Sequence, residues 1–206
     1  MNWIGISCTM LAVLVLFAAT EWLRRRGVSA DVTRSTAHIV GGGFAAAFPL
    51  YLGLEDVLLI GGVMTVVLAT TALRGGLPSI HAVERRTIGA VALPLGGMLT
   101  AIATWPAPGA FSYAVLVLAI ADPAAAAAGR LVGGPGWRVF GGAKTIAGSA
   151  AFFGVALALT AAVSGAVVPA VAVPLMLTIV EGALGYGLDD LAIPLAAGVL
   201  ARTLLL

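Results

Sequence analysis

An all-α, polytopic transmembrane helical bundle of about eight spans, built as one domain over residues 1–206, is the fold class this sequence predicts. Three observations predict it. Hydrophobic residues make up 61% of the chain and charged residues 10%, where a soluble domain carries about 25% charged residues. Apolar stretches fall at roughly 3–22, 37–53, 57–73, 88–104, 110–129, 147–163, 167–183 and 191–205, separated by polar or Gly/Pro punctuation. Threading the first span inward puts Arg24, Arg25, Arg26, Arg34, Arg74, Arg85, Arg86, Arg130, Arg138 and Lys144 on one side. Those are ten of the eleven basic residues, with Arg202 alone on the other side, which is the positive-inside pattern of an even span number.

The first stretch, Trp3 to Leu23, has no basic residue before it and three arginines after it, the reverse of a cleaved leader. It reads as a retained span with its amino terminus outside. The net charge of +2 is spread between apolar runs, so topology accounts for it and no nucleic-acid partner is expected. A single cysteine, Cys8, excludes a disulfide framework or a cysteine metal site within one chain. The small residues Gly41–Gly43, Gly96–Gly97 and Ala124–Ala128 suit close helix contact inside a membrane. Tight turns at Gly53 and Gly165 leave re-entrant segments open as an alternative to full spans.

A carboxylate in the middle of a span costs about 2.5–3.5 kcal/mol on insertion scales, so each one calls for a reason. In the threaded topology Glu21, Asp122, Glu181, Asp189 and Asp190 all fall in the cytoplasmic half. Asp122 ends the run FSYAVLVLAIAD and precedes Pro123, so a broken helix with a carboxylate at the break is expected there. The plain alternative is an ion pair with Arg130, two turns further on. Asp189 and Asp190 suit either the cap of the last helix or Mg²⁺, which prefers oxygen ligands. Glu181 closes the seventh span and could equally reach into water.

The segment GRLVGGPGWRVFGGAKTIAGS is rich in glycine and basic residues, and such a loop can bring backbone amides to phosphate. Lys144 precedes Thr145, the expected cap of the sixth span, whose open amides would add to an anion site; the alternative is an interfacial anchor and an ordinary cap. Gly142 stands where a Walker lysine belongs, so a P-loop is rejected. Arg34 and His38, four apart, share a helix face at the start of the second span. The ERRTIG segment from Glu84 to Gly89 is ordinary positive-inside sequence by itself, and His81 reads as interfacial.

Five blocks taken together are more specific: RSTAH at Arg34–His38, RRTIGAVALPLG at Arg85–Gly96, ADPAAAAAGR at Ala121–Arg130, KTIAGS at Lys144–Ser149, and EGALGYGLDDLAIP at Glu181–Pro194. Over roughly residues 21–200 the chain resembles the phytol kinase and dolichol kinase family of CTP-dependent lipid-alcohol kinases. It departs from the family pattern at Ser35, where a lysine is usual, and at Asp190, where an asparagine is common.

The resemblance implies a kinase that phosphorylates the hydroxyl of a long-chain isoprenoid alcohol at the cytoplasmic face. A CTP-dependent diacylglycerol kinase or a CDP-lipid-forming cytidylyltransferase is the alternative, and a transporter or membrane assembly subunit a remote one. Asp122, Lys144 and Glu181 would be catalytic. Arg130, Lys144, Thr145, Gly148, Ser149, Arg85 and Arg86 would hold the nucleotide, and Asp122, Asp189 and Asp190 the metal. Arg34 and His38 would make substrate or structural polar contacts. Mg²⁺ and CTP are the expected cofactor and donor. The expected partners are the bilayer, the lipid alcohol and the nucleotide, with a homo-oligomer left open, and the expected location is a bacterial inner membrane.

Overall fold

The structure, a computed structural model, describes residues 1–82 and 87–206. Arg85 and Arg86, expected at the nucleotide, lie outside the described residues. The described helices are α1 (Trp3–Arg25), α2 (Ala30–Ala45), α3 (Leu54–Arg74), the short α4 (Pro78–His81), α5 (Gly89–Thr104), α6 (Pro108–Leu131), α7 (Ile146–Val163), α8 (Val167–Ala183) and α9 (Asp189–Leu204). The fold is all-α apart from an antiparallel hairpin, β1 (Gly136–Val139) and β2 (Gly142–Thr145), between α6 and α7.

Helices α1, α3, α6 and α7 are each long and apolar enough to cross a bilayer, and the chain is an integral membrane protein on that ground. Helices α5 and α8 are apolar but shorter, at 16 and 17 residues. At 1.5 Å per residue, 16 residues reach about 24 Å against a hydrocarbon core of about 30 Å.

Local chemistry sets the helix ends. The Asn2 side chain caps α1 by accepting from Gly5 N at 3.0 Å, and Arg24 and Arg25 occupy its last turn, where the carbonyl dipoles favour cations. The Asn2 backbone N–H donates to Asp56 Oδ1 at 3.0 Å, so the starts of α1 and α3 sit together and their arginine-bearing ends share the opposite side. There Glu21 of α1 accepts from Ser79 N of α4. At the far end Arg202 of α9 donates to Ala103 O of α5 at 2.6 Å.

The second helix begins earlier than hydropathy suggests, at Ala30 rather than near residue 37. Ser29 caps it and Asp31 sits in its first turn, so the polar stretch ahead of the apolar run joins the helix. It ends at Ala45, and Phe48–Leu50 form a 3₁₀ turn around Pro49. Arg34 and His38 therefore project from within α2.

Helix α6 is the centre of the bundle, with Phe111, Ala114, Val117, Ala119 and Ala121 among its buried residues. It runs unbroken through Pro123, against the expected break. Proline deprives the carbonyl four residues back of its donor and costs about 3 kcal/mol in an isolated helix. Packing on several sides offsets that, and Pro94, Pro174 and Pro194 are accommodated inside α5, α8 and α9 in the same way. Small residues allow the approach: a Cβ on Gly42 of α2 would lie 2.5 Å from the Ala119 Cβ of α6.

Several threonines within the helices are satisfied locally. Thr65, Thr100, Thr104, Thr160 and Thr178 each donate to the carbonyl four residues earlier, at 2.6–2.8 Å.

Candidate functional site

The site forms where α6 ends and α7 and α9 begin. Hairpin β1–β2 projects past these helix ends and folds back on Phe140 and Gly141, whose positive φ of 76° only glycine adopts readily. Its aromatic side chains anchor it: Trp137 Nε1 donates to Gly182 O at 2.8 Å, and the Phe140 ring meets Tyr186 edge-on at 5.4 Å. That docking carries Lys144, on β2, to the end of α8.

Lys144 Nζ donates to Glu181 Oε1 at 2.7 Å and to Asp189 Oδ2 at 3.1 Å. Ser149 Oγ, one turn into α7, donates to the other Glu181 oxygen at 2.9 Å. Burial alone would pull the Lys144 ammonium down. Asp189, the Glu181 hydrogen bond and charge, and Asp122 beyond them outweigh burial and hold the group above the usual lysine range. Thr145 is the N-cap of α7, accepting from Gly148 N at 3.0 Å, as the sequence suggests. Asp189 and Asp190 lie in the first turn of α9, but Leu188 is the cap residue, so neither aspartate caps it.

Across the chamber Arg34 NH2 lies 3.7 Å from Asp190 Oδ2, and His38 Nδ1 lies 3.9 Å from Asp190 Oδ1. His38 Nε2 sits 3.3 Å from Leu118 O, next to Asp122 along α6. One ligand-capable atom from each of His38, Asp122 and Asp190 falls within 4.8 Å of the others. Gly89 makes room for this side of the chamber, because a Cβ there would collide with the Asp190 carboxylate and the Arg34 guanidinium.

One polar cavity collects Arg34, His38, Asp122, Arg130, Lys144, Thr145, Gly148, Glu181, Asp189 and Asp190, together with Asp31, which sequence reasoning passed over. Ser149 touches it through Glu181. Among the described residues, five carboxylates face three permanent cations there. Asp122 and Asp190 can hold a divalent cation by position and chemistry, and Asp189 falls outside that group, with its Oδ2 bound by Lys144.

A second, apolar groove runs between α1, α2, α3, α5 and α6, lined by residues such as Phe17, Gly41, Ile60, Met64, Leu93 and Val115. From Val57 to Leu68 it follows α3 for about 16 Å. Arg34, His38 and Asp190 belong to both cavities. No sequence signal marks the Lys144–Glu181 contact or the placing of Arg34 beside Asp190, which join residues far apart in the chain. Comparison with protein-family models, with curated proteins and with solved structures found no match for this chain.

Proposed function

We propose that this protein is a CTP-dependent kinase that phosphorylates the hydroxyl of a long-chain isoprenoid alcohol. The observation that carries the reading is the wall shared by the two cavities: a charged chamber and an apolar groove meet at Arg34, His38 and Asp190. A substrate with a hydrocarbon tail and one hydroxyl fits that junction, its tail among the helices and its oxygen beside carboxylates. The five sequence blocks resembling the phytol and dolichol kinases contribute most of their described polar residues to the same chamber, which supports a kinase site there; CTP as the donor is what the resemblance implies. In this reading all eight long helices cross a bacterial inner membrane, the amino terminus lies outside and the chamber faces the cytoplasm.

Phosphoryl transfer depends on position and charge neutralisation more than on covalent chemistry. The alcohol oxygen forms a bond to the γ-phosphorus as the bond to the β,γ-bridging oxygen breaks, and the nucleoside diphosphate leaves. Lys144, Arg130 and the amides at the start of α7 bind the phosphates. Asp122, within reach of the junction, accepts the hydroxyl proton, and Glu181 holds Lys144 in place. Mg²⁺ held by Asp122 and Asp190 would neutralise phosphate charge. Such a cation matters because, among the described residues, the chamber carries more carboxylates than cations.

Purified protein in detergent, given Mg²⁺, radiolabelled CTP or ATP and a panel of isoprenoid alcohols, diacylglycerol and phosphatidic acid, tests the proposal. Labelled isoprenyl phosphate from γ-labelled CTP is expected. Labelled phosphatidic acid would move the assignment to a diacylglycerol kinase, a CDP-lipid with released pyrophosphate to a cytidylyltransferase, and no labelled lipid would end it.

A further inference from the structure

Helices α2, α6 and α9 bring His38, Asp122 and Asp190 into one cluster from positions far apart in the chain. We propose that these three side chains form a site for one first-row divalent cation, with His38 Nδ1 as a nitrogen ligand, so that Mn²⁺ binds in preference to Mg²⁺.

The histidine is the informative member. Its side chain is 10% exposed, and its Nε2 faces the Leu118 carbonyl at 3.3 Å. A carbonyl can only accept, so a ring hydrogen sits on Nε2, and Nδ1, on the Asp190 side, is the nitrogen that binds a cation once its own hydrogen is displaced. A metal-ligating histidine has this same arrangement, its other nitrogen tied to a backbone carbonyl that fixes ring and tautomer.

Nδ1 and Asp190 Oδ1 stand 3.9 Å apart, beyond hydrogen-bond reach. Two ligands each about 2.1 Å from a shared ion can lie up to about 4.2 Å apart, so this spacing suits a common cation. All three ligand atoms lie within 4.8 Å of one another, and even that spacing closes with a shift of about half an ångström. Arg34 lies toward the other Asp190 oxygen, Oδ2, at 3.7 Å.

The donor set decides the metal. Mg²⁺ prefers an all-oxygen octahedron that keeps several waters, whereas an imidazole beside carboxylates favours first-row transition ions. The inference concerns the same chamber as the kinase reading, but cation binding is measured with no nucleotide or lipid present, so either can fail alone.

The test uses the full chain in detergent, purified on a tag without histidine, with Mn²⁺ alone as the probe. Electron paramagnetic resonance is expected to show one bound Mn²⁺ per chain, with ¹⁴N modulation from one imidazole in the pulsed spectrum. Mg²⁺ should displace it only at more than about tenfold excess. His38→Gln should weaken Mn²⁺ binding by at least about tenfold and abolish the nitrogen modulation. His81→Asn, changing the only other histidine, should leave both intact. The nitrogen signal of the unaltered protein needs no variant to fold. Its absence, failure to bind Mn²⁺, undiminished binding by His38→Gln, or tighter binding of Mg²⁺ would each overturn the proposal.

Discussion

Ser149 Oγ binds one oxygen of Glu181 while Lys144 Nζ binds the other, so a single buried carboxylate ties the hairpin before α7 to α7 itself and to the end of α8. Removing one charge of a buried pair strands its partner, which costs about 3–5 kcal/mol. Lys144→Met is expected to lower the melting temperature in detergent markedly. Adding Glu181→Gln should recover part of the loss, since an amide can still accept from Ser149. Lipid phosphate formation should stay absent in both variants, and recovery of turnover in the double variant would remove Lys144 from the mechanism.

Asp122 carries the proposed proton transfer, so Asp122→Asn should leave melting near that of the parent and reduce phosphoryl transfer by at least about 10²-fold. Radiolabelled product per enzyme reads the result. Turnover within a few fold of the parent would return Asp122 to a structural role.

The close passage of α2 against α6 sets where His38 stands. Gly42→Ala puts a methyl group 2.5 Å from that of Ala119 and is expected to cost about 1–3 kcal/mol through overpacking. Activity should fall with it. Ala119→Gly in the same chain vacates that space, and rescue of both melting temperature and turnover would confirm that helix separation is the cause.

At the opposite end of α6, Tyr113 donates to Thr160 at 2.7 Å while Thr160 donates to Ala156. Tyr113→Phe should cost about 1 kcal/mol, because Thr160 keeps its carbonyl. Thr160→Val strands a buried phenol and should cost more, about 1–3 kcal/mol. Turnover per folded enzyme should be unchanged in both, which denaturation curves beside an activity assay would show.

His81, beside Thr71 at 3.1 Å, is held below the ordinary histidine range, first by burial and then by the Arg34 charge. Its neutral form is the one the fold favours. That contribution is complete above about pH 6.5 and lessens as pH falls toward the depressed folded value. Melting temperature should therefore fall on acidification below pH 6.5 more steeply in the parent than in His81→Gln.

The helices were legible in the sequence because hydropathy is a local property, and the cap at Thr145 because capping acts within one turn. Asp122, Glu181 and the aspartate pair stood out because charge in an apolar run carries a known cost. Hydropathy places the start of α2 too late because it gives no weight to a polar first turn capped by Ser29. The hairpin escaped notice because its exposed residues lack alternation and gain their order from Gly182 and Tyr186, more than forty positions away. Asp190 beside Arg34 is a purely tertiary fact, since spacing along a chain says nothing about helices that meet end to side.

Threonines along α3, α5, α7 and α8 spend their hydroxyls on their own backbone. Where such a residue is partly exposed, as Thr65 and Thr178 are, it presents its methyl group and little else to surrounding lipid, so those stretches of α3 and α8 are greasier in place than a residue-by-residue scale would score them. Water loses an invitation at each of those positions and keeps one at the ionic end of α6.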